Sequence, residues 1–381
     1  PILTKLRDFE KLYPVWKKNK KFKCKNHRLL QKKINTIVSI MDDNIKNKTD
    51  EVDDIIEYVS YNDLGTFFSQ SDEYIFYVNK EPICGTITSK KYNTEYGCFD
   101  ISYYYYSYYS SNDKMKKKYG TLFIYDFNDK ISIDELNVSV VTAKLKKMLV
   151  KRGKKYIKYC RDYHHMYYDG PMWISSWFGS IELRINGRIM VDHPYHQKNT
   201  KIYDTKFSTN VPLHQLDAFL GCYDLKKHRT WGLCAIDKIT NIKYNDDAFT
   251  YLTLDSTLEL KNESLQLKQL IKDLVLNKNE IDFTDMIDGK GTGLIFLLHG
   301  PPGVGKTLTA EATSEVLHIP LYYLTCGELG STVINIENTL KKVIELIKRW
   351  NAVLLIDEAD VFLEKRDSTG LKRNSIVSIF L

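Results

Sequence analysis

A doubly wound α/β parallel sheet near the C-terminal end, preceded by a longer, mostly β (α+β) region, is the fold that this 381-residue sequence predicts. Three observations predict it. An apolar run at residues 294–299 leads directly into the stretch Gly-Pro-Pro-Gly-Val-Gly-Lys-Thr at 300–307. A second apolar run at 352–356 ends abruptly in Asp357 and Glu358. Between the two, strand and helix patterns alternate.

The glycine-rich stretch meets the phosphate-loop pattern G-x-x-x-x-G-K-T at Gly300, Gly305, Lys306 and Thr307. Glycines let the backbone curl so that successive N–H groups face phosphate oxygens, and the following helix adds the positive end of its dipole. Gly300, Pro301, Pro302, Gly303, Val304, Gly305, Lys306, Thr307 and Leu308 are therefore the expected nucleotide-binding residues, with ATP and Mg2+ as cofactors. Lys306 reaches the β- and γ-phosphates as a compact charge, and the Thr307 hydroxyl is the expected Mg2+ ligand. Good helix formers continue from 308 to 317.

The next strand is predicted at Leu321–Thr325, and Ile336, Leu340, Val343, Ile344 and Ile347 then fall at helical spacing. The strand that follows carries Asp357 at its C-terminal tip. Right-handed crossovers gather ligands outside such tips, which suits Asp357 as the acid that holds the metal through water. Glu358, one residue further, is placed to accept a hydrogen bond from the attacking water, so Glu358 and Lys306 are the expected catalytic residues.

These residues resemble a known family. Gly-Pro-Pro-Gly-Val-Gly-Lys-Thr-Leu-Thr-Ala-Glu and Leu-Leu-Ile-Asp-Glu-Ala-Asp-Val-Phe look like the Walker A and Walker B segments of an AAA ATPase. Residues 289–300 and 373–381 resemble the branch, frequent in fungi, whose members carry a long uncharacterised domain ahead of the ATPase module. Weaker echoes lie upstream, at Arg152-Gly-Lys-Lys-Tyr, at 186–192 and at 237–245. The resemblance implies ATP hydrolysis by a homo-oligomeric ring, in which an arginine finger reaches a neighbouring subunit's site, and remodelling of a protein or macromolecular complex. The chain ends one helix beyond Asp357, short of where the family carries its sensor residue, arginine finger and helical lid, and it starts at Pro1. Truncation at both ends is expected. Thr332 stands about where threading unfoldases place an aromatic pore residue, which favours remodelling through another surface.

Composition sets looser bounds. The seven cysteines are scattered without a C-x-x-C pair, which argues against a zinc site and suits a reducing compartment. No apolar run approaches the roughly 20 residues needed to cross a bilayer, so a soluble intracellular protein without a membrane span is expected. The net charge is +7, with lysine runs at 17–25 and 114–118. The whole chain is rich in Lys, Asn, Ile and Tyr, so nucleic-acid binding by these runs is not favoured.

Upstream, residues 1–50 are expected to form a basic helical segment, 51–254 a β-rich recognition domain, 255–280 a linker helix and 281–381 the ATPase core. Strands are predicted at 73–78, 98–109, 121–127, 180–189 and 233–236, with a helix across 141–160. The tyrosine-dense run at 103–109 reads as strand, since tyrosine favours strands. Asp192-His-Pro-Tyr-His196 offers three potential metal ligands, but Pro194 breaks any helical register and no supporting cluster is present. Two rivals to an ATP-hydrolysing machine remain open: a nucleotide-binding scaffold with negligible hydrolysis, and a helicase suggested by Asp357-Glu-Ala-Asp360. Against the helicase, Lys306 and Asp357 lie closer together than that family's motifs usually do.

Overall fold

A computed structural model describes residues 58–176, 179–198, 210–252, 261–276, 294–329 and 333–359. The expected N-terminal helical segment, the lysine run at 17–25, the loop at 330–332 and the segment from 360 onward lie outside them. The chain divides into two compact units, Pro1–Tyr105 with Lys117–Lys146, and Tyr106–Lys116 with Lys147–Leu381. Among the described residues, no helix is long and apolar enough to cross a membrane.

The first unit is built on a five-stranded sheet. Its strands are β2 (Glu73–Val78), β3 (Glu81–Asn93), β4 (Cys98–Tyr109, in the first unit as far as Tyr105), β5 (Lys114–Tyr125, in the first unit from Lys117) and β7 (Val138–Val140), in the order β5-β4-β3-β2-β7. The pairs β2–β3, β3–β4 and β2–β7 are antiparallel. A separate two-stranded pairing joins β1 (Tyr58–Val59) to β6 (Ile131–Ser132), and the short helix α1 spans Leu64–Phe67. Alternation decides which face is core: Tyr103 and Tyr105 are buried, while Tyr104 is half-buried beneath the Lys117 ammonium, 3.8 Å from its ring. The tyrosine run is thus strand and core, as its composition suggested.

In the second unit, helix α2 (Ala143–Tyr159, whose first turn belongs to the first unit) precedes the long hairpin β8 (Tyr163–Ser176) and β9 (Gly179–Asp192). The strands β10 (Phe219–Asp224), β11 (Trp231–Ala235) and β12 (Ile239–Thr240) complete a sheet ordered β11-β10-β9-β8-β12. β11 also pairs with β8, through Leu233↔Trp173 and Cys234↔Met172, so the sheet curls back on itself. Tyr156, Tyr168, Met172, Ile189, Leu220 and Cys234 fill its core. A methyl group on Gly153 would sit 2.1 Å from the Leu213 carbonyl oxygen, so glycine here permits a close approach of α2 to the Leu213 backbone.

One predicted strand is displaced toward the N-terminus. The strand expected at 121–127 runs instead over Lys114–Tyr125, because the lysines at its start face solvent at an edge, where charge is tolerated. β3 and β8 are the longest of the strands not predicted: Pro82, Gly85, Gly170 and Pro171 read as breaks, yet the ladders continue through them.

Two further helices, α3 (His193–His196) and α4 (Lys261–Leu276), lie in the second unit, as does the ATPase-like segment. Helix α5 (Lys306–Leu317) follows the glycine-rich loop, and β13 (Leu321–Thr325) and β14 (Val353–Asp357) form a parallel pair joined across the short α6 (Cys326–Leu329) and α7 (Val333–Trp350). Residues 294–299, expected as a strand, form none. They carry no ladder to any described strand, and Ile295 is 92% and Leu297 77% exposed. An apolar run signals burial, but a strand exists only once a neighbour takes its backbone hydrogen bonds. On α7 the predicted stripe is buried at Ile336, Leu340 and Val343, whereas Ile344 stays exposed and Leu346 and Trp350 take core positions.

β13, β14 and α7 share one core with the upstream sheet, in which Met190, Tyr223 and Leu225 meet Tyr322, Leu324, Leu340 and Trp350. Polar anchors flank it. Arg188 pairs with Glu315 on α5 at 2.6 Å, and Glu315 also accepts the Asn245 N–H. His318, whose ring stacks on Tyr244, lies 2.5 Å from an Asp246 oxygen.

Nearby, His165 Nδ1 lies 2.8 Å from the Tyr244 hydroxyl. Burial, then the Arg188 charge, pushes His165 from an ordinary 6.5 down to about 3. The unfolded chain therefore takes up this proton before the folded one does. Stability from the neutral imidazole is complete above 6.5 and is lost as pH falls from 6.5 toward 3. Between pH 7.5 and 4.5 the loss of unfolding free energy is expected to be about 3 kcal/mol smaller in His165→Asn than in the parent. Urea titrations at both pH values measure it, and equal losses would contradict it.

Candidate functional site

The glycine-rich loop takes its shape from backbone freedom that only glycine supplies cheaply. Gly303 and Gly305 lie at φ 85° and 89°, and Gly305 is the N-cap of α5. Lys306 Nζ donates to the carbonyl oxygens of Gly300 (2.8 Å) and Pro301 (2.9 Å), folding its stem back over the loop. The first helical bond is from Thr309 N–H to the Gly305 carbonyl, so the N–H groups of Lys306, Thr307 and Leu308 have no acceptor within the helix. Helix N–H donors and an ammonium thus lie together, a set that suits an oligophosphate. Pro301, Pro302, Gly303, Val304 and Leu308 are exposed, while Gly300, Gly305, Lys306 and Thr307 are half-buried.

α5 packs against both β13 and β14, and the parallel register pairs Thr325 with Asp357 at the C-terminal tips. Asp357 Oδ1 accepts the backbone N–H of Glu358 at 3.0 Å, and Oδ2 accepts the Tyr323 hydroxyl. The hydrogen bond to Asp357, followed by burial, pushes Tyr323 up to about 12, so its hydroxyl remains a donor at neutral pH. Glu358 is exposed and sits at φ 56°, a left-handed conformation that costs a non-glycine residue about 1–3 kcal/mol. Such outliers concentrate at functional sites.

Sequence reasoning missed Tyr323 and Arg229. Arg229, on the turn between β10 and β11, has its guanidinium 5.4 Å from the Tyr323 ring centroid and 3.1 Å from Glu328. Neither residue carries a local signal, since Tyr323 reads as an ordinary strand residue and Arg229 as a turn cation.

Asp192-His-Pro-Tyr-His196 has structural tasks. Asp192 is fully buried and accepts from Arg349 Nε (2.6 Å), Trp350 Nε1 (2.8 Å) and the Tyr195 N–H (3.1 Å). His193 Nδ1 accepts the Gly221 N–H at 2.9 Å.

Residues 296–381 match the family "ATPase family associated with various cellular activities (AAA)". The uncharacterized AAA family ATPase y4kL of Sinorhizobium fredii is 38% identical over 79 residues, 19% of this chain and 23% of its own length. The ATPase family AAA domain-containing protein 3A homolog of Drosophila melanogaster is 35% identical over 87 residues, 22% of this chain and 14% of its own. The ATP-dependent zinc metalloprotease FtsH of Mesomycoplasma conjunctivae is 33% identical over 79 residues, 21% of this chain and 10% of its own. The match spans less than a quarter of each of these relatives. An AAA ATPase domain is present within residues 296–381.

Proposed function

We propose that residues 281–381 form the doubly wound core of an ATP-hydrolysing AAA module, which acts as a homo-oligomeric ring to remodel a protein or macromolecular complex. The β-rich region ahead of it, as in the fungal-type branch, would recognise the target. Two neighbouring features support this proposal. A glycine-rich loop leads into Lys306 at the N-terminus of α5, and α5 packs on the parallel strand β14, which ends at Asp357 with Glu358 directly after it.

The donor set fits a nucleoside triphosphate with its Mg2+. The loop N–H groups and Lys306 would hold the phosphates once the lysine leaves its own loop carbonyls. Thr307 and, through water, Asp357 would hold Mg2+, which when bound neutralises phosphate charge. Glu358, exposed at the strand tip, would accept a hydrogen bond from a water molecule and aim it at the γ-phosphorus.

ATP hydrolysis against protein concentration tests the proposal, with Glu358→Gln as the blank. Turnover per chain is expected to rise with concentration and to vanish in the blank. Turnover no higher than the blank would replace the motor with a nucleotide-binding scaffold.

A further inference from the structure

We propose that Tyr323 is a positioning residue for the metal-side acid of the ATP site, and that Arg229, from the turn between β10 and β11, holds Tyr323 in place. The inference rests on the assignment of Asp357 above. The parallel register sets Tyr323 opposite Leu355 and Thr325 opposite Asp357. Tyr323 therefore lies diagonally across from Asp357 on the same face of the pair, a separation that an aromatic side chain spans. Its hydroxyl donates to Oδ2 while the Glu358 N–H donates to Oδ1 at 3.0 Å. Donors on both oxygens fix the plane of the carboxylate, because rotation about Cβ–Cγ would stretch both bonds at once. The direction in which Asp357 presents its remaining lone pairs is set before any metal arrives.

Arg229 is itself presented by a constructed turn. Asp224 is buried, and its carboxylate accepts the backbone N–H groups of Lys226 (3.2 Å) and His228 (2.6 Å). This leads the chain into Arg229 at φ 48°. The guanidinium then faces the Tyr323 ring at 5.4 Å and pairs with Glu328 Oε2 at 3.1 Å. The same Glu328 oxygen accepts the Thr325 N–H (2.9 Å) and hydroxyl (3.1 Å), and Thr325 is the register partner of Asp357. Arg229, Glu328, Thr325 and Tyr323 thus surround the tip of the strand that carries the acid. A turn of the upstream sheet contributes to the ATP site without touching nucleotide.

The test is Mg2+-dependent binding of a fluorescent ATP analogue to the parent, Tyr323→Phe, Arg229→Gln and Asp357→Asn. Affinity in EDTA and melting temperature are recorded beside it. Tyr323→Phe keeps the ring and removes one donor. It is expected to raise the Mg2+ half-saturation about tenfold, as loss of a partner to a metal-holding group typically does, with EDTA affinity and melting temperature unchanged. Arg229→Gln, a change at a partly exposed side chain that leaves folding intact, is expected to shift it about threefold in the same direction. If Asp357→Asn shifts the Mg2+ dependence and Tyr323→Phe does not, or changes only melting temperature, the positioning role is overturned while the ATP-site assignment stands. If Arg229→Gln alone has no effect, the contribution of the upstream turn is overturned. If Asp357→Asn itself leaves the Mg2+ dependence unchanged, the site assignment fails.

Discussion

Asp192→Ala is expected to lower unfolding free energy by about 3–5 kcal/mol, a large part of the roughly 5–15 kcal/mol that holds a typical domain together. The carboxylate is fully buried, and its partner Arg349 is 7% exposed. Removing Asp192 leaves the guanidinium and the Trp350 N–H in the interior without this acceptor, and α7 loses its charged anchor on the end of β9. The desolvation cost of the remaining charge, more than the lost attraction, sets the magnitude. Replacing both partners with apolar residues, as in Asp192→Leu/Arg349→Met, should recover most of the loss. Urea unfolding of the three variants decides it. A loss below about 1 kcal/mol in Asp192→Ala would show that β9 and α7 do not depend on this pair.

Glu358→Gln is expected to cut ATP turnover by about 10²–10⁴-fold while nucleotide affinity changes little, the range for losing a positioned general base. The amide keeps the size of the side chain and its left-handed backbone, φ 56°, but a neutral amide accepts a proton far less well than a carboxylate. Because Glu358 is exposed and lies outside the core shared with the upstream sheet, its melting temperature should match the parent. A fall of less than about threefold would place the hydrolytic base elsewhere. A parallel loss of binding would mean that the side chain holds nucleotide instead.

The legible parts of this molecule are those whose physics is local. The phosphate loop is written in consecutive residues because backbone curvature and helix dipole act over one turn, and β13 emerges at Leu321–Thr325 as its apolar pattern predicts. α7 was readable from its period, although the period alone did not show that Ile344 would face solvent and Trp350 the core. β8 hid behind Gly170 and Pro171, whose local meaning is a break, while the pairing with Ile185 and Arg184 overrides it. Residues 294–299 failed as a strand for the reverse reason: apolar composition was present and a pairing partner among the described residues was not. Asp192–Arg349 and Arg229–Tyr323 join residues far apart in sequence, so no window of sequence contains them. For the same reason the packing of the ATPase-like segment on β9 and β10 has no sequence signature.

The most direct measurement is equilibrium binding of ATP, with Mg2+ present, to the parent and to Lys306→Ala. Saturable, single-site binding by the parent is expected, weakening at least about 100-fold in Lys306→Ala, since an ammonium in contact with phosphate oxygens contributes on the order of 3 kcal/mol. Equal binding by the two proteins, or none by the parent, would contradict the assignment of residues 300–308 as the nucleotide site.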